Sequence, residues 1–536
     1  MNTGDMKSPP DAAGELAWRP KYNPWLIAFA VALAAFMEVL DTSIANVALP
    51  YMAGNLGASN DESTWVLTSY LVSNAIVLPI SGWLAAFFGR KRFFLTCIFL
   101  FTISSLLCGM APGLGALILS RVVQGAGGGG LQPMAQAILA DVFPPEQRGL
   151  AFAIYGITAV MAPTIGPTLG GWITDHYSWR WIFFINLPVG LLTFLLVLRL
   201  VEDPPYFARL KSAGLRLDYI GVALLVLGVG SLQILLDKGQ EEDWFGSHFI
   251  LTLAFIAAIC LTLLVIWEWF QRAPIIEVRL FKNLNFLSAN LMMFMLGLTL
   301  FASIVLMPQF LQTLLGYTAE TAGLALSAGG LVLLCEMPIV GQLTTRIQTR
   351  YIIAAGWFAL TLAMAYSALR IDLSISFGFA AMLRIVQVIG LGLLFVPITL
   401  AAYNGMPSDK GNSIAGIVNF MRNIGSSVGT SIVTTVGARR AQFHQVHLVT
   451  RLAPDNPTFR DQLNSLTRQL VNGGLGAYEA RQQAYARFYR IVQNQARTLA
   501  YIDTYWVLAW CAIVMFCISF FLRKNKPGAR GEAAAL

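Results

Sequence analysis

Fourteen apolar stretches, each roughly 20 residues long, recur between residues 25 and 522, and no soluble core could absorb so many. They fall near 25–49, 63–86, 93–112, 114–139, 150–173, 181–200, 218–236, 248–269, 286–308, 321–343, 351–370, 374–402, 413–437 and 502–522. At about 1.5 Å per helical residue, such a stretch can cross the ~30 Å hydrocarbon layer of a bilayer. Hydrophobic residues make up 56% of the chain and charged residues 12%, with a mean hydropathy of +0.64, which excludes an ordinary soluble domain. The expected fold class is an all-α polytopic membrane protein. The first stretch follows a polar, acid-containing tail and is too long for a cleaved secretory signal, so it is read as structure.

Lysine and arginine placement orients the spans. With the N-terminus in the cytoplasm, that side receives twenty-one cations and the short outer loops receive three, Arg180, Lys238 and Arg370. Both termini are then cytoplasmic, as an even number of spans requires. Nine arginines lie in a long extracytoplasmic segment, 438–501, which exceeds the loop length to which the rule applies. The last three, Arg121, Arg384 and Arg422, fall inside spans. The net charge of +8 therefore reflects topology and gives no reason to expect a nucleic-acid partner. The six cysteines lack metal-ligand spacing and read as small buried hydrophobes. The four histidines lie in loops or at their edges, so no metal centre is expected.

The chain repeats itself at an offset of about 260 residues. Arg121-Val-Val-Gln124 with Gly125 and Gly127 recurs as Arg384-Ile-Val-Gln387 with Gly390 and Gly392. Leu78-Pro79-Ile80-Ser81-Gly82 recurs as Met337-Pro338-Ile339-Val340-Gly341, Val47–Pro50 matches Val305–Pro308, and Pro145 with Gly149 matches Pro407 with Gly411. Three units follow: a six-helix bundle over 1–205, two inserted spans over 206–284, and a second six-helix bundle over 285–536 that carries the segment 438–501. Two parallel halves about an axis along the membrane normal suit alternating access around a midplane site.

Glu38 and Asp41 stand near the centre of the first span, whose midpoint is Met37. A charge there costs on the order of 2.5–3.5 kcal/mol, so something must compensate for it. Their i,i+3 spacing puts them on one helical face, with Thr42 and Asn46 following. Two carboxylates this close in a low dielectric cannot both ionise cheaply, which suits a group that loads and releases protons. The alternative is a structural ion pair or a permanently neutral, hydrogen-bonded acid. Arg121 in the fourth span is the candidate counter-charge, with Gln124 one turn on; the bland reading is a fixed partner for backbone carbonyls. Residues 125–130 satisfy G-x-G-x-x-G, but no strand precedes them, so they are read as a site of close helix approach.

In the fifth span, Gly166 and Gly170 form a small-residue face while Pro163 and Pro167 disturb the helix ladder, which serves packing or gating equally. The turn from Gly82 through Gly89 and Arg90 to Arg92 suits either an interhelix latch or a topology determinant. Glu336, Arg384 and Arg422 are ionisable groups in apolar surroundings of the second half. Glu336 with either arginine reads as a buried pair, or else as a second protonation or cationic-substrate site.

These segments resemble the major facilitator superfamily, in particular the fourteen-span drug/proton antiporters of the EmrB/QacA type. Leu40–Pro50 is similar to that family's span-1 motif, Arg121–Gly125 to its span-4 motif, Ala162–Gly171 to its antiporter signature and Trp179–Pro188 to the start of its sixth span. The resemblance implies a major facilitator fold and proton-driven export, with Asp41 in proton coupling and Arg121 in proton relay. The driving force would be the proton gradient, with no cofactor. The superfamily's span 2–3 motif expects an acid where this chain has Ala86, although Gly82, Gly89 and Arg90 match.

The segment 438–501 is polar, with helical pieces expected at 457–472 and 476–499 and with Tyr478, Tyr485, Phe488 and Tyr489 interleaved with arginine. Resemblance to EmrB-type pumps implies docking to a periplasmic membrane-fusion adaptor and an outer-membrane channel. An amphipathic cap on the bilayer is the other reading. The expected function is antiport of protons against amphiphilic drugs across the cytoplasmic (inner) membrane, through a site between the halves. Export of a single metabolite, siderophore or lipid is an alternative, as is a passive facilitator, against which an intramembrane acid pair argues.

Overall fold

The computed structural model describes residues 20–144, 146–203, 218–271, 274–407, 410–452 and 456–524. The boundary drawn at 205, Pro145 of the repeat, and Lys7, Arg19, Arg209, Lys211, Arg216, Arg272, Lys526 and Arg530, all among the cations expected on the cytoplasmic side, lie outside the described residues. Among those described, every regular element is helical. The long helices are α1 (Pro24–Leu56), α2 (Trp65–Phe88), α3 (Arg90–Gly109), α4 (Leu114–Gly128), α5 (Leu131–Val142), α6 (Arg148–His176), α7 (Asn186–Leu200), α8 (Tyr219–Lys238) and α9 (His248–Phe270). They continue with α10 (Leu284–Thr313), α11 (Ala319–Arg346), α12 (Thr349–Arg370), α13 (Phe377–Tyr403), α14 (Gly411–Val449), α15 (Pro457–Asn472) and α16 (Ala477–Ser519).

Among the described residues, twelve helices are long and apolar enough to cross a membrane, two fewer than the fourteen stretches expected. Both shortfalls have a local cause. The fourth stretch is interrupted at Gly129 and Gly130, which divide it into α4 and α5 of 15 and 12 residues. The thirteenth lies in α14, a continuous helix whose serines, threonines, asparagines and Arg422 dilute its hydropathy.

The halves pack as the repeat requires. In the first, α1 lies against α6; in the second, α10 lies against α14. Across the halves α6 meets α11 and α2 meets α14, the same pairing seen from either side of the pseudo-axis. Both seams close on glycine. A Cβ on Gly82 would sit 2.8 Å from the Ser413 backbone, and one on Gly341 would sit 2.9 Å from the Gly149 carbonyl, so each contact needs a bare backbone. Gly89, at φ +92°, turns the chain from α2 into α3. The inserted pair α8–α9 covers the α2–α14 seam: Leu225 and Val229 pack near Ala75, and Gln233 bonds Ser427 at 2.8 Å.

Segment 438–501 is not a loop. α14 runs 39 residues and α16 runs 43, so both extend well beyond the ~30 Å hydrocarbon layer at about 1.5 Å per residue. α15 folds back on α16 through Phe459, Leu463 and Ala484, with Phe459 edge-on to Phe488 at 5.3 Å. The base of this projection is tied by Asp503, which bonds Arg440 at 2.5 Å and His444 at 2.7 Å. Four cysteines correct the expectation of burial: Cys335 and Cys517 stand exposed on helix faces, and Cys260 and Cys511 are half-buried.

Candidate functional site

The site begins with the two acids on α1, both buried. Their networks diverge. Asp41 turns toward α4 and α7: Arg121 Nη1 donates to Oδ2 at 2.6 Å, while Gln124 Nε2 and Asn186 Nδ2 donate to Oδ1 at 3.0 and 2.6 Å. Arg121 also donates from Nη1 to Gln124 Oε1 at 2.8 Å and from Nε to the Val66 carbonyl at 3.1 Å. Its guanidinium lies 4.2 Å from the centroid of the Tyr70 ring, a cation–π contact in a desolvated site. Asn186 is held in turn by Ser105, which donates to the Phe183 carbonyl. Both expected roles of Arg121 are therefore present together, as counter-charge and as carbonyl partner.

Glu38 turns instead toward α2, α5 and the second half. Tyr70 Oη donates to Oε1 at 3.1 Å and Asn74 Nδ2 at 3.0 Å, and Gln132 Nε2 donates to Oε2. Among the described residues Glu38 forms no direct ion pair. The carbonyl of Gln132 accepts from Arg422 Nη2 on α14, so the cation reaches the acid through one amide that belongs to the other half. Tyr155 of α6 donates to Gln132 Oε1 at 3.2 Å and to Asn419 Oδ1 at 2.9 Å, and Asn419 donates to Gln136 at 2.5 Å. Tyr70 joins the two networks, its hydroxyl on Glu38 and its ring against Arg121.

The glycine run makes these approaches possible. A Cβ on Gly128 would come within 2.5 Å of the Tyr70 hydroxyl and 3.3 Å of Glu38 Cγ. The proline–glycine face of α6 packs on α1 one turn from Asp41. Pro167 has no N–H for the carbonyl of residue 163, and that carbonyl accepts from Ser43 Oγ at 3.2 Å instead. Gly166 meets the Ser43 side chain and Gly170 meets Ile44, so the face serves a close helix contact.

Other expected residues stand apart. Asn46 is exposed and outside both networks. Glu336 forms no pair with Arg384 or Arg422: its buried carboxylate oxygens have no hydrogen-bond partner among the described residues, which corrects the buried-pair reading. Arg384 donates from Nη1 to Ser303 Oγ at 2.9 Å and to Gln387 at 3.4 Å. At the basic turn, Arg90 pairs with Asp141 of α5 at 2.5 Å, so an acid from another helix serves the arginine despite Ala86. Tyr70, Asn74, Gln132, Tyr155, Asn186 and Asn419 were not singled out from sequence. Their signal there is an amide or phenol inside an apolar stretch and, for Asn186, its place in the Trp179–Pro188 motif.

Two like helical halves that enclose buried, charge-bearing networks between apolar outer faces define a multi-pass membrane transporter. The chain belongs to the Major Facilitator Superfamily, whose family model matches residues 31–430. It is 38% identical over 526 residues to the multidrug export protein EmrB of Haemophilus influenzae, covering 98% of this chain and 99% of that one. It is 35% identical over 510 residues to EmrB of Escherichia coli K12, covering 95% and 97%. A crystal structure of a double tryptophan mutant of XylE shares the fold, with a TM-score of 0.60 at 13% identity, covering 96% of this chain and 98% of the other.

Proposed function

We propose that this chain is a proton-coupled exporter of amphiphilic drugs in the cytoplasmic membrane, with fourteen crossings, both termini cytoplasmic, and protons exchanged at Asp41. The observation that carries this reading is the buried Asp41–Arg121 pair, closed by Gln124 and Asn186. Burying such a pair has a desolvation cost that a passive pore has no reason to bear. The near full-length likeness to proteins named for multidrug export supports the cargo class.

Protonation of Asp41 removes the charge that holds Arg121, and the guanidinium is free to rest on Tyr70 and the Val66 carbonyl. Glu38 couples that event to the interface between the halves. Loss of its charge weakens the Glu38–Gln132–Arg422 chain, one of the polar ties from α1 and α5 to α14. Cargo meets the same acids and amides when the halves part, so proton and cargo compete for one region.

The projection formed by α14, α15 and α16 is the docking surface for a periplasmic adaptor that leads to an outer-membrane channel. It presents Tyr478, Tyr485 and Tyr489 to solvent among arginines. Removal of 445–495 should abolish adaptor capture; undiminished capture overturns that part.

The central test is transport of a fluorescent amphiphilic dye in liposomes under an imposed pH gradient. Flux that follows the gradient and acidifies the opposite compartment is expected. Flux indifferent to the gradient overturns antiport in favour of facilitated diffusion.

A further inference from the structure

The two halves hold similar arginine sites that differ in charge. In each, an arginine of the fourth helix of the half donates from Nη1 to a residue of the first helix and to a glutamine three residues on. In the first half these partners are Asp41 and Gln124; in the second they are Ser303 and Gln387. In each, a serine of the third helix supports the amide layer: Ser105 holds Asn186, and Ser367 accepts from Gln387 Nε2 at 2.9 Å. The first site contains a carboxylate. The second contains only neutral groups, although Arg384 is 0% exposed.

Arg384 carries its charge in an apolar bundle with Nε and Nη2 lacking any hydrogen-bond partner among the described residues. A guanidinium so placed calls for a counter-anion. Glu336 does not supply one here. It packs against Gly392 on the α11–α13 contact, whereas Arg384 lies against Gly329, and eight residues of α13 separate Arg384 from Gly392. That is about 12 Å along the helix, far outside ion-pair reach.

We infer that Arg384, Ser303 and Gln387 form a binding site for a compact monovalent anion in the second half, which gives Arg384 the counter-charge that Asp41 gives Arg121. Arg384 supplies the charge and its two unpartnered nitrogens, while the Ser303 hydroxyl, which donates to the Leu300 carbonyl at 2.8 Å, holds Nη1 in place. The ligand is a halide or the carboxylate of a small solute, which share single charge and acceptor chemistry. The inference concerns a second site and does not depend on proton coupling at Asp41.

The test is thermal unfolding of the purified full-length protein in lipid nanodiscs, at constant ionic strength, with chloride or acetate replacing gluconate. Chloride, acetate or both should raise the midpoint by about 2–4 °C in the wild type. Which anion does so identifies the source. Ser303→Asp supplies the missing carboxylate from within the chain, so this variant should match the anion-bound wild type in gluconate and show no further shift. Arg384→Gln should also lose the response. The site is disproved if neither anion stabilises the wild type relative to gluconate, or if Ser303→Asp keeps the full shift. Because the Asp variant is expected to gain stability, a failure of Arg384→Gln to fold leaves the decision to it.

Discussion

Arg422 and Glu38 sit on opposite halves of the molecule and share the side chain of Gln132, whose amide donates to the acid and whose carbonyl accepts from the arginine. The cation thus senses the charge on Glu38 without touching it. An amide linker polarised from both ends weakens when either charge is removed, and this gives Glu38 a role separate from Asp41.

Glu38→Gln should therefore leave the Asp41–Arg121 pair intact and change the coupling of transport to the opening of the halves. Measured in proteoliposomes, this variant should still respond to a pH gradient while its proton-to-cargo ratio or its preference for cationic cargo shifts. An unchanged ratio with unchanged cargo range would refute the role.

Asp41→Asn should abolish pH-driven transport while expression is largely kept. Removal of one partner from a buried pair strands the other and costs about 3–5 kcal/mol, so the single variant should also unfold at lower temperature. Asp41→Asn combined with Arg121→Gln should recover thermal stability and remain uncoupled. Near-normal coupling in either variant rules out the assignment.

Asn186 donates at 2.6 Å to the carboxylate oxygen that Gln124 also serves. Hydrogen bonds to a charged group contribute roughly 1.5–3 kcal/mol. Asn186→Ala should slow pH-driven efflux by about 10-fold or more at this scale, with cargo binding at equilibrium nearly unchanged. A wild-type rate would show that Asn186 only fills space.

Gly82→Val should act through shape alone. Its Cβ would press on the Ser413 backbone at 2.8 Å, and backbone cannot move aside as a side chain can. The variant should hold the α2–α14 seam apart at this end, with single cysteines placed nearby labelled faster by a membrane-impermeant reagent. Labelling at the wild-type rate, with full transport, is the contrary result.

Much of the fold was legible because lipid leaves few options. The long helices follow the apolar stretches to within a few residues at many ends, as with 114 for the start of α4 and 370 for the end of α12. The fourth stretch departs from a simple span because Gly129 and Gly130 divide its helix, and the thirteenth because hydroxyl and amide residues weaken its hydropathy without preventing a helix. The helical pieces expected at 457–472 and 476–499 are present as α15 and the first part of α16, but their continuity with the apolar stretches in α14 and α16 is not legible, because polar helices carry no hydropathy signal; α15 is held on α16 by Phe459 and Leu463.

The sequence by itself determined that Glu38, Asp41 and Arg121 had to be buried and compensated, since a charge in a spanning helix has no water to turn to. It also determined that two similar halves exist. Only the tertiary structure decided that neighbouring acids on one helix face separate partners, because a side chain's direction depends on which helices crowd each flank. It likewise decided that Glu336 and Arg384 stay apart, since residues in the same helix pair meet only when their heights along the axis agree.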